Sequence, residues 1–147
     1  MSNWLYLAIA AAAGILMAIQ GSLNSALSKV IGVLEGNFIL HAVGLFVIVT
    51  LLFIIGLGKG DLNALEKAPW YLYLGGVINV AIIYAVMLSI AKTGAGYATT
   101  AIITGQLAMA LTIDQFGLFG LAKSQMTWGR GLGLVLMAIA ARLLLGK

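Results

Sequence analysis

TTAIITGQLAMALTIDQFGLFG, residues 99–120, is an apolar run with an amide, Gln106, in its middle and a carboxylate, Asp114, near its end. Helical residues four and eight apart share a face, so Gln106, Ala110 and Asp114 are expected to line up as a narrow polar stripe on an otherwise apolar cylinder. A helix of this length and composition belongs in a bilayer, where a polar stripe has to meet a partner or an aqueous cavity.

The rest of the chain agrees. Of its 147 residues, 63% are hydrophobic and 8% charged, against about 25% charged in an ordinary soluble domain. Eight basic and four acidic residues cannot solvate the outside of so much Leu, Ile, Val and Ala, so lipid must cover most of the surface. The formal charge of +4 is scattered singly between hydrophobic runs, unlike the basic stripe of a nucleic-acid binder. Cysteine is absent, which removes disulfides and thiolate chemistry. Residues 1–4, Met-Ser-Asn-Trp, lack the basic start of a signal peptide, so the first helix is expected to be retained.

Five stretches approach or exceed the length of about 20 apolar residues that a spanning helix needs: 4–27, 37–57, 70–91, 97–114 and 128–145. The expected fold is therefore all-α and integral to the membrane, one five-helix domain over residues 1–147. Helix one opens with sixteen apolar residues, WLYLAIAAAAGILMAI, then turns polar at Gln20, Asn24 and Ser25 while keeping helical spacing. Gly21 and Ser25 beside the two amides would let a neighbouring backbone approach closely. The second stretch carries the only histidine, His41. The glycines at 56, 58 and 60 follow a lipid-length helix rather than a strand, so they lack the context of a phosphate-binding loop. Pro69 stands just before the third helix, where its missing N–H is harmless, and Trp70, Tyr71 and Tyr73 form an interfacial belt.

An odd number of spans places the two termini on opposite sides. Lys59, Lys67, Lys123 and, if its side chain reaches back to the surface, Arg130 then face one way, and Lys29, Lys92, Arg142 and Lys147 the other. The Lys/Arg bias that sets orientation is nil. A chain without instruction can insert both ways, and two opposite copies would pair as an antiparallel, dual-topology homodimer of ten helices, supplying the inverted repeat common among secondary transporters. The plainer alternative is an accidental tie, with orientation set by hydrophobicity and partner contacts.

These residues also resemble a known family. Gln20-x3-Asn24, Gly44, Gly75-Gly76, Thr93-Gly94-Ala95, Gly105-Gln106-x7-Asp114-x-Phe116-Gly117 and Arg130-x2-Gly133 are similar to the DUF606 (YdcZ-like) family of bacterial inner-membrane proteins in the drug/metabolite transporter superfamily. The resemblance implies a multi-pass five-helix half-transporter that works in pairs. The glutamate that small multidrug resistance relatives carry within helix one is missing here, so their proton-coupled cation exchange does not transfer.

The candidate site consists of intramembrane polar groups, which are costly in lipid and tend to face an interior. Gln20, Asn24, His41, Asn79 and Gln106 are the expected lining of a midplane substrate cavity, with Tyr84 and Tyr97 as ring faces for an organic cation. Each amide has a competing role as interhelical glue, with Asn79 a partner for Gln106 or Gln20. Asp114 and His41 are the candidates for coupling to a proton or ion; the competing readings are an interfacial acid paired with Lys123 or Arg130, and a structural histidine. Gly129 and Gly133 are candidates for a helix-packing or dimer contact. Neither a Walker motif nor HExxH is present, so an enzyme, a cofactor and a metal have no support. The expected partners are a second copy, the bilayer and a small neutral or cationic organic solute, moved without ATP by alternating access. The alternatives are a dual-topology ion channel and a non-transporting scaffold or partner subunit.

Overall fold

The computed structural model describes residues 3–146; Met1, Ser2 and Lys147, the last counted in the charge tally, lie outside the described residues. Five helices are long and apolar enough to cross a membrane, and the described residues contain no strand. They fall into two compact units, Met1–Lys92 and Thr93–Lys147.

The first unit holds α1 (Asn3–Ile31), α2 (Val33–Val49), which continues as a π-helical turn through Thr50–Ile54, and α3 (Leu74–Thr93), preceded by a 3-10 turn at Trp70–Tyr73. Helix α1 overruns its expected limits at both ends, and α2 begins four residues earlier than expected. Residues 28–36, expected as a link, are helical except for Gly32, whose φ of +97° lets one residue reverse the chain. Lys29 and Glu35 therefore belong to helix ends, where the dipole favours a cation at the last turn of α1 and an anion at the first turn of α2. Helix α2 ends at Ile54 rather than 57, because the wide turn closes with Ile55 N–H donating to the Thr50 carbonyl at 3.0 Å and Gly56 adopts a positive φ. The loop to α3 contains another 3-10 segment, Leu62–Lys67, capped where Asp61 accepts from Asn63 N–H at 2.9 Å. The Tyr73 hydroxyl holds it by donating to the Leu65 carbonyl at 2.6 Å.

Small residues decide how the three helices meet. Gly21, Ser25 and Ser28 of α1 and Gly36 of α2 are buried. A Cβ on Gly36 would lie 2.8 Å from Met87 Cε and 3.7 Å from Ser28 Cα, and one on Gly21 would lie 2.9 Å from Ile90 Cδ1. The glycines make room for the α3 side chains Met87 and Ile90, themselves 0% and 8% exposed. Polar-looking α1 residues are thus a contact seam, as expected, with α3 as one neighbour.

The second unit is a helical hairpin, α4 (Ala95–Phe116) and α5 (Trp128–Leu145). Helix α5 keeps its expected limits and α4 extends two residues further at each end. Gly94, with φ +88°, precedes α4 as the expected five-residue link shrinks around it. Gly117 ends α4 in the left-handed conformation, its N–H donating to the Ile113 carbonyl. The connection then folds back on α4. Ser124 N–H donates to the Asp114 carbonyl at 2.8 Å, and Met126 N–H to Gln115 Oε1. Thr127 caps α5 by accepting from Arg130 N–H at 3.3 Å.

Only 6% of each spanning window is buried. In water such a molecule would have no adequate core, whereas lipid or neighbouring protein covers apolar surface without that cost.

Candidate functional site

A polar junction joins α2 to α3. Asn37 and His41 are one turn apart on α2 and so project to one side. Asn37 Nδ2 donates to the Val80 carbonyl of α3 at 2.9 Å, and Asn79 Nδ2, the neighbouring residue's amide, meets His41 Nε2 at 3.1 Å. His41 Nδ1 lies 2.8 Å from the Asn37 carbonyl. A carbonyl only accepts, so Nδ1 carries the proton; Nε2 then has a free lone pair and accepts from Asn79. Every polar atom of the imidazole is engaged, and its tautomer is dictated by its partners.

Asn37 is 2% exposed. The Val80 carbonyl requires a donor, which fixes which way the amide faces and leaves Oδ1 buried without a hydrogen-bond partner. Beside this junction a cleft of about 710 Å³ opens along α2, within the size range of small-molecule sites. Its walls are mostly apolar, with Leu34, Phe38 and Val80 among them, and its polar residues are Glu35, Asn37 and His41.

Among the described residues the structure brings the expected cavity residues together in two separate places, His41 with Asn79 at the junction and Gln20 with Asn24 on α1. Asn79 pairs with His41 in place of the expected pairing with Gln106 or Gln20, because within the three-helix unit the imidazole of α2 lies across from it. Gln20 and Asn24 line a separate, shallower groove of about 400 Å³ along α1, Asn24 buried and Gln20 exposed. Gln106 is exposed on α4, as is Ala110 in the same stripe. Tyr84 is 42% and Tyr97 41% exposed.

Asp114 is half-buried in the last turn of α4 rather than at the helix boundary. Its expected ion pair with Lys123 or Arg130 does not form among the described residues. Arg130 instead reaches back from the first turn of α5, donating through Nη1 to Ser124 Oγ at 2.8 Å and the Gln125 carbonyl at 3.3 Å. That connection offers the guanidinium oxygen acceptors at the helix end, and the contact places Arg130 with the loop end of its hairpin, as the charge tally required. Gly129 and Gly133 border open space, and a methyl added at either would meet nothing within 4 Å.

Asn37 is the residue that sequence reasoning missed. With helix two expected to begin at 37, Asn37 stands at its first position; the helix begins one turn earlier, which places Asn37 inside α2 on the His41 face. Among the described residues no group of three or more His, Cys, Asp or Glu gathers as a metal site.

The family model described as "Putative inner membrane exporter, YdcZ" matches residues 5–143, nearly the whole chain. No curated protein and no solved structure matches. With five apolar helices spanning the same residues, this multi-pass inner-membrane chain belongs to the YdcZ exporter family.

Proposed function

We propose that the chain is one half of a secondary transporter that exports a small neutral or cationic organic solute, working as an inverted homodimer by alternating access. The observation that carries this reading is the α2–α3 junction: hydrogen-bonded amides and an imidazole beside an open, mainly apolar cleft. Intramembrane polar groups of this kind mark solute paths, and the family's description as an exporter supports outward transport. The junction depends on side chains rather than on a continuous helix, so α3 can exchange partners as one half rocks against the other.

Inverted pairing is supported by charge. Within the first unit Lys59 and Lys67 lie in the loop end and Lys29 and Lys92 at the opposite helix ends; within the second, Lys123 and Arg130 stand against Arg142, to which the sequence adds Lys147. Each unit is balanced by itself, so neither biases insertion.

The test is efflux from proteoliposomes loaded with amphipathic amines and alcohols, together with membrane-impermeant labelling of a single cysteine introduced at Asn3. The natural chain contains no cysteine to interfere. Solute efflux and labelling of separate molecules from each side are expected. A uniform orientation would remove the inverted dimer, and a lack of efflux for every solute class would remove the transporter.

A further inference from the structure

The Asn37 side chain gives the cleft a chemical preference. We infer that the cleft beside α2 is a solute subsite that takes an amphipathic molecule presenting an N–H or O–H donor to Asn37 Oδ1, and that it discriminates against anions. The inference rests on the transporter reading above and adds the chemistry of the solute.

Four observations converge. The Asn37 oxygen is buried and without a partner, and the amide cannot turn to use it because Nδ2 is committed to the Val80 carbonyl. A bare acceptor away from water is costly, so a donor brought by a solute is rewarded more than one exchanged with solvent. Both His41 nitrogens are already engaged, by the Asn37 carbonyl and by Asn79, so the imidazole has no donor left for an anion. The cleft lining contains no Lys or Arg, and its only acid is Glu35.

Glu35 has a distinct part. It lies two positions before Asn37, which sets the two about 160° apart around the helix, too far to hold one solute atom together. Its carboxylate folds over Gly32 at the start of α2, close to where a Cβ there would stand. It places negative charge at the edge of the cleft, opposing an anion and tolerating an ammonium. The apolar walls, Leu34, Phe38 and Val80 among them, take the body of the solute while its donor head is presented to the Asn37 amide, and burying that oxygen with a partner relieves its cost.

The test uses the full chain in lipid nanodiscs and a diazirine-bearing 3-phenylpropanol as photoprobe, with labelled peptides located by mass spectrometry. Saturable labelling of residues 31–41 is expected. It should be competed by 3-phenylpropanol and 3-phenylpropylammonium, about tenfold or more weakly by the methyl ether and the trimethylammonium analogue, which lack a donor, and least by 3-phenylpropanoate. Asn37→Leu should weaken labelling about tenfold or more by the same reasoning. Leu34→Trp, at a wall position that is 65% exposed, should block it without disturbing the helix junction, which keeps the test decisive should Asn37→Leu not fold. Equal competition by the donor-free analogues or the carboxylate, or labelling indifferent to both substitutions, overturns the inference. Efflux measured on the same preparation separates the two readings. Transport without Asn37-dependent labelling sinks the subsite alone, and Asn37-dependent labelling without transport of any probe sinks the transporter alone.

Discussion

Replacing Asn37 by leucine should leave the protein as stable as before, although the residue is 2% exposed and bridges two helices. The substitution removes the hydrogen bond to the Val80 carbonyl, and interhelical bonds of this kind in membranes are worth about 0.6 kcal/mol, with a maximum near 1.7. It also removes the partnerless Oδ1, whose desolvation costs about 1–3 kcal/mol. Val80 O lies within α3, so it keeps its helical N–H partner and is not stranded. The balance falls within about 1 kcal/mol of zero or on the stabilising side. Asn37→Asp keeps the shape but places a second acceptor against the Val80 carbonyl and charge inside the bilayer, a loss of about 2.5 kcal/mol or more. The two variants should thus differ by nearly two orders of magnitude in unfolding equilibrium, at about 1.4 kcal/mol per factor of ten. Reversible unfolding in mixed detergent micelles, followed by tryptophan fluorescence, measures both. A loss of more than about 2 kcal/mol in Asn37→Leu would mean that the bond outweighs the stranded oxygen, and the reasoning about the junction would fail.

Four further outcomes follow from the same geometry. Nitrogen NMR of labelled His41 should find the proton on Nδ1 in the neutral ring; a proton on Nε2 would contradict the Asn79 bond. A double-mutant cycle between His41→Ala and Asn79→Ala should give a coupling of about 0.6 kcal/mol, and additivity would show the pair to be idle. Gly36→Ala should be tolerated because Met87 Cε can move aside, whereas Gly36→Leu should lose about 1–3 kcal/mol by reaching Met87 and the Ser28 backbone in the thermal unfolding of detergent-solubilised protein. Arg130→Ala removes one charge from a balanced tally, so the fraction of molecules labelled from each side at a cysteine replacing Asn3 should shift away from its original ratio; an unchanged ratio would mean that orientation is set elsewhere.

The hydrophobic runs by themselves determined that this is a five-helix membrane protein, because a span is specified by length and apolarity alone, with no distant partner needed. They also placed α5 at its limits, where Thr127 and Gly146 bracket a largely apolar run whose two charges, Arg130 and Arg142, stand near its ends. The helix ends around Gly32 and Gly94 were less legible. Charged or small residues there read as links, while one glycine at positive φ suffices for each reversal, a conformation decided by how closely the flanking segments pack. Among the polar residues, sequence spacing singled out His41 and Asn79 as candidates, since either is costly in lipid wherever it points. Their pairing with each other, the hidden role of Asn37 and the release of Asp114 from its expected cation depend on which helices lie side by side. Adjacency between residues about forty positions apart leaves no periodic trace along the chain, so only the tertiary structure could decide it.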